Sequence, residues 1–147
     1  MRMNVLDIAI GLFIVLEMAN VLILYFFPDL KQGNGIGVFN DWHRVKDDEP
    51  LYLFVKYLVN WVANAKVIFI ALLMVILVFG DNPLKLASTI VIILSVSMYY
   101  WRLYPIMVRL DKLNLINPRG YSRKLLSMIV MIQVVILIAI IIYISFI

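Results

Sequence analysis

YLVNWVANAKVIFIALLMVILVFG, residues 57–80, decides the fold. It opens with aromatics, two asparagines and a lysine, then continues as almost unbroken hydrocarbon. At ~1.5 Å per residue a helix of this length crosses the ~30 Å hydrocarbon layer of a bilayer. In lipid the backbone must satisfy its own hydrogen bonds, and a helix does so within one segment. The stretch therefore reads as a transmembrane helix with Asn60, Asn64 and Lys66 set into it.

Working outward, three more runs have the same character: VLDIAIGLFIVLEMANVLILYFF at 5–27, LASTIVIILSVSMYYWRLY at 86–104, and the apolar stretch 122–147. The chain is 65% hydrophobic with a mean hydropathy of +1.00, against roughly half apolar usage in soluble domains. The fold expected is an all-α integral membrane protein, one four-transmembrane-helix bundle over residues 1–147. Its helices are expected at about 5–27, 51–80, 84–113 and 121–147, with an amphipathic extension after the third. The first run does not read as a cleaved signal peptide, because it is long, carries Asp7 and Glu17, and has no small-residue cleavage site after it. With no cysteine, disulfides, thiolate metal sites and cysteine nucleophiles are excluded.

The thirteen Lys and Arg give the orientation. Four spans place the first and third loops on one side, and the termini with the second loop on the other. Ten basic residues fall on the first side, Arg2 and Lys85 on the second, and Lys66 inside a span. Basic loops are retained in the cytoplasm, so loops 1 and 3 are expected inside and both termini outside, in a multi-pass cell-membrane protein. Arg102, Arg109, Lys112, Arg119, Arg123 and Lys124 are expected to contact anionic lipid headgroups there.

The loops carry local signals. GDNPLK, 80–85, is a tight turn, so the second and third helices are expected as antiparallel neighbours. Pro28 ends the first helix. Asp47, Asp48 and Glu49 before Pro50 suit the positive end of a helix starting near residue 50. Pro105 is expected to kink the third helix into an interfacial continuation, with residues 106, 107, 110 and 113 opposite Arg109 and Lys112.

A polar layer is the candidate site. Counted from the basic end of each helix, Asn20 lies roughly 10 Å in, Glu17 15 Å, Asn64 9 Å, Lys66 12 Å and Gln133 16 Å. Ser97 and Ser95 fall at a similar level. Glu17 and Lys66 read as the two charged groups well inside the spans, where a charge costs about 2.5–3.5 kcal/mol on insertion scales, so the two are candidates to pair. The cluster Glu17, Asn20, Asn60, Asn64, Lys66, Ser97 and Gln133 has two readings. In one, Glu17 handles protons or cations in a cavity, with Lys66 and the amides as ligands or gates. In the other, the amides are interhelical glue at ~0.6 kcal/mol per contact, and Lys66 snorkels to the interface.

Other motifs are weak. GNGIG, 33–37, follows no strand and precedes no Walker-type lysine, so it reads as a flexible loop. One histidine, His43, makes no zinc or haem site, and DWHR reads as a loop segment. Asp41, Asp47, Asp48 and Glu49 lack EF-hand spacing. No nucleophile–base arrangement is visible, so no enzyme, metal or cofactor is expected, and the basic charge is not read as nucleic-acid binding. The expected function is an oligomeric ion or small-solute transporter or channel built around Glu17. The alternative is a non-catalytic subunit or assembly partner of a larger membrane complex. The expected partners are the bilayer, its anionic headgroups, and either further copies of the chain or other membrane subunits.

Overall fold

A computed structural model describes residues 4–146. These residues form α1 (Val5–Phe26), α2 (Trp42–Asp47), α3 (Glu49–Phe79), α4 (Asn82–Met98), a π-helical segment (Tyr99–Leu103), α5 (Tyr104–Lys112) and α6 (Tyr121–Ser145). Helix predominates throughout, with one isolated bridge between Phe39 and Ile116. Four helical courses, 5–26, 49–79, 82–112 and 121–145, are long and apolar enough to cross a membrane.

Three of the long helices, α1, α3 and α4, start where the sequence supplies a side-chain acceptor. Asn4 and Asp7 form a reciprocal capping box at α1. Asp48 accepts from the Leu51 N–H ahead of α3, and Asp81 from the Leu84 N–H ahead of α4. In both cases a proline sits in the first turn, where its missing N–H costs nothing. Residues 99–103 lie just before Pro105, which cannot donate back into the preceding turn. The hydrogen-bond ladder widens there to π geometry, with the Tyr104 N–H reaching the Tyr99 carbonyl. The expected extension follows as α5, but its apolar face divides: Met107 is buried and Leu110 packs beside the core, while Ile106 and Leu113 stay exposed.

α1 is the hub. It packs on α3, α4 and α6, and α4 also packs on α6. The core between them contains Leu6, Ile10 and Phe13 of α1, Ile70 of α3, Ile92 of α4 and Ile136 of α6. α3 and α4 are joined by the tight turn but touch each other least among these packed helix pairs. The close antiparallel pair expected from GDNPLK is thus replaced by two helices leaning on α1, with a groove between them.

At the opposite end from that turn, the chain before α3 folds into a cap. This cap includes a six-residue helix, α2, where the sequence reads as loop. GNGIG is tightly packed: a Cβ on Gly37 would lie 1.9 Å from the Asp29 carbonyl oxygen, and one on Gly35 2.2 Å from that of Leu30. Only glycine admits so close a backbone approach. The cap is stitched to the α5–α6 connection by Asn40 N–H to Leu115 O and Asn117 N–H to Val38 O, at 2.9 and 2.8 Å. A second small core of Val38, Tyr99, Met107, Ile116, Tyr121 and Leu125 lies beneath.

Candidate functional site

Glu17 and Lys66 meet. Lys66 Nζ donates to Glu17 Oε2 at 2.5 Å, from α3 to α1. The two side chains remain 23% and 27% exposed, so the pair is partly open to whatever surrounds the chain. Both line the groove between α3 and α4, a space of about 370 Å³. α3 contributes Trp61, Val62, Ala65 and Phe69, α4 contributes Ile92, Ser95 and Val96, and α1 contributes Phe13 and Glu17. Phe13 and Phe69 meet edge to face, ring centroids 6.1 Å apart, at the side of the pair.

The other polar side chains do not join that groove. Asn20 is buried and donates from Nδ2 to the Gly33 carbonyl at 2.5 Å, tying α1 to the cap. Asn64, on a different side of α3 from Lys66, accepts from Tyr25 Oη at 2.5 Å. Gln133 of α6 donates to Ser97 Oγ at 2.9 Å and accepts from Tyr100 Oη. Asn60 is half-buried on α3. One layer by depth is therefore several separate bridges in space: α1 to α3 twice, α1 to the cap, and α6 to α4. Three of these give a partly buried polar group a partner, the Tyr25–Asn64 bridge lies at the exposed surface, and none extends into a chain of polar groups through the molecule.

A second ion pair lies at the far end, and sequence reasoning missed it. Lys85 was expected in the second loop as a basic residue in water. Instead it is 2% exposed, with Nζ 2.6 Å from Asp7 Oδ1, and Asp7 is 7% exposed. Asp7 Oδ2 accepts from the Asn4 N–H. The contact from Lys85 to Oδ1 is a close charge contact rather than an aligned hydrogen bond. Asn4 Nδ2 donates to Asn82 Oδ1 at 2.8 Å beside it. Asp7 and Lys85 stand at equivalent depth because α1 and α4 begin at the same end. The signal was present in the sequence, an acid and a base each a few residues into a capped helix. Reading it required knowing that those two helices pack together.

The six cations expected at lipid headgroups, Arg102, Arg109, Lys112, Arg119, Arg123 and Lys124, are all exposed. Arg102 lies against Trp101, 6.0 Å from the ring centroid. An apolar cavity of about 460 Å³ sits between the cap and α3, lined by Trp42, Phe39, Val55 and Val59 among others. Trp42 above it donates to Asp29, which also meets Lys46. These two contacts, the Lys46 one foremost, hold the Asp29 carboxyl below its usual range. Among the described residues, no three His, Asp or Glu side chains gather as metal ligands would. The chain matches no protein-family model, and no curated protein or solved structure is significantly similar to it.

Proposed function

We propose that this chain is an integral membrane subunit that assembles with a second copy of itself through the groove between α3 and α4. The observation that carries this reading is the Glu17–Lys66 pair, partly open at the groove wall. In a bilayer a charge at depth costs about 2.5–3.5 kcal/mol on insertion scales, and pairing offsets only part of that cost. Lipid tails offer no partner for the remaining donors and acceptors of the pair, whereas another helix seals them from lipid. Ala65 and Ser95 in the groove are small, as helices require for close approach in lipid.

The occupant is a second copy because of α3. This helix is the groove's wall and also the least covered of the four long helices. A two-fold arrangement places each copy's α3 in the other's groove, so one closed interface covers both surfaces. The topology that goes with this reading has the cap and the α5–α6 connection in the cytoplasm and the α1 and α6 far ends outside. Enzymatic chemistry has no part in it.

The absence of cysteine makes the test direct. Ala65→Cys is expected to give a covalent dimer on oxidation in native membranes. Ile138→Cys, on the exposed outer side of α6, is expected to give none. The gently extracted particle should weigh two copies. A particle of one copy, or of this chain with different proteins, overturns the reading.

A second reading is favoured by the same exposure: ions or small solutes move between the copies past Glu17 and Lys66. Vesicle flux that is present in the wild type and lost in Glu17→Gln selects it. Equal flux in both removes Glu17 from any transport role.

A further inference from the structure

We propose that the corner between α5 and α6 binds the headgroup of an anionic phospholipid. The inference rests on the membrane-spanning reading but not on assembly through the groove.

Residues 102–124 hold six cations, Arg102, Arg109, Lys112, Arg119, Arg123 and Lys124, against one acid, Asp111, a net of +5. Among the described residues none of the six has a carboxylate within ion-pair distance. Asp111 lies among them, in the recess between α5 and α6, and is hydrogen-bonded there. Its carboxylate accepts from the Gly120 N–H at 2.9 Å and from the Ser122 N–H and Oγ at 3.1 and 2.6 Å, capping the start of α6. Its charge is thus met by donors of its own.

The neighbouring cap is different. Residues 28–50 hold three cations against five acids, a net of −2 with His43 neutral. Arg44 is paired with Asp41 at 3.3 Å and Lys46 with Asp29 at 2.5 Å. One end of the molecule is therefore divided into an acidic half with two internal ion pairs and a basic half whose six cations outnumber its one acid. A basic loop that only set topology would have no need of this separation.

The basic half also has shape. A recess of about 340 Å³ lies between α5 and α6, lined by Tyr104, Asp111 and Lys112 of α5 and by Ser122 and Arg123 at the start of α6. Guanidinium takes phosphate oxygens two at a time and ammonium adds a compact charge. Trp101, exposed on the π segment one turn before Tyr104, provides the apolar ledge that acyl chains need next to such a headgroup. Free phosphate would use the cations but not the ledge.

Native mass spectrometry of the full chain in micelles doped with phosphatidylglycerol or phosphatidylcholine tests the proposal. The wild type is expected to retain phosphatidylglycerol and not phosphatidylcholine. Lys112→Gln with Arg123→Gln should weaken retention about 25-fold, at about fivefold per cation. Lys31→Gln with Lys56→Gln removes the same charge from elsewhere and should leave retention unchanged. Equal loss in both double variants would reduce the site to diffuse surface charge and overturn it. So would equal retention of both lipids. Displacement of the lipid by millimolar inorganic phosphate would move the ligand from lipid to soluble anion and overturn it as well. The readout is a bound lipid per chain, so it stands whether the particle holds one copy or two.

Discussion

Among the ion pairs of the described residues, Asp7 and Lys85 are the most deeply buried. Both are almost fully buried and each is the other's counter-charge. Replacing one partner strands a charge in an apolar place, which costs about 3–5 kcal/mol, whereas replacing both is close to neutral. Lys85→Met is therefore expected to lower the unfolding free energy in mixed micelles by that amount, and adding Asp7→Asn should recover most of it. A Lys85→Met protein within about 1 kcal/mol of the wild type would mean the site is wet and the charges independently solvated. Lys66→Met should cost less, since Glu17 is 23% exposed and so is less completely enclosed by the bundle than Asp7 at 7%. Glu17 and Lys66 were legible in the sequence because each is an isolated charge deep in a hydrocarbon run. Asp7 and Lys85 were not, because counting depth from a helix end assigns both to water. Tertiary contact between two helix starts overrides that count.

Among the elements, the four long helices and the tight turn at 80–82 were legible and the cap, with its short helix α2, was not. A hydrocarbon run specifies a helix by solvent alone, and Asp48, Asp81 and Asn4 mark starts by local chemistry. The cap has no such pattern. It is held by glycines that allow backbone approach and by side chains that meet only after the fold forms, with Asp29 the clearest case. Trp42 Nε1 donates to its Oδ1 at 2.5 Å, and Lys46 Nζ lies 2.5 Å from the same oxygen. Both favour the charged carboxylate, so its pKa in the folded chain lies below 3.8. A depressed folded pKa gives stability that is fully present above the unfolded value and is lost as pH falls through the folded one. The cap should therefore hold at neutral pH and loosen only below about pH 3.8. The indole N–H resonance of Trp42 should shift in that range while those of Trp61 and Trp101 stay, and Asp29→Asn should show the loosened signal at neutral pH. A Trp42 signal constant through the acid range would disconnect the carboxylate from the cap.

For the whole molecule, the structure sharpens the charge asymmetry from which orientation was read. The sequence count gives the far end two cations, Arg2 and Lys85. Burial against Asp7 removes Lys85 from that surface, and the pair is neutral as a unit. The α3–α4 turn presents Asp81 and Asn82 instead. The opposite end keeps its exposed cations, six of them gathered at the α5–α6 corner. Positive residues near the ends of spans resist translocation and acids contribute little, so the acidic cap does not weaken the asymmetry. The prediction is that Asn114→Cys, in the α5–α6 connection, is protected from a membrane-impermeant thiol reagent in intact cells. Asp81→Cys, at the far turn, should be labelled, and lysis should expose both. The cysteine-free chain supplies the blank. The reverse pattern would invert the molecule. It would place the corner's cations outside the cell and leave the positive-inside rule unable to explain why Lys85 is the far turn's single basic residue and is kept from water by Asp7.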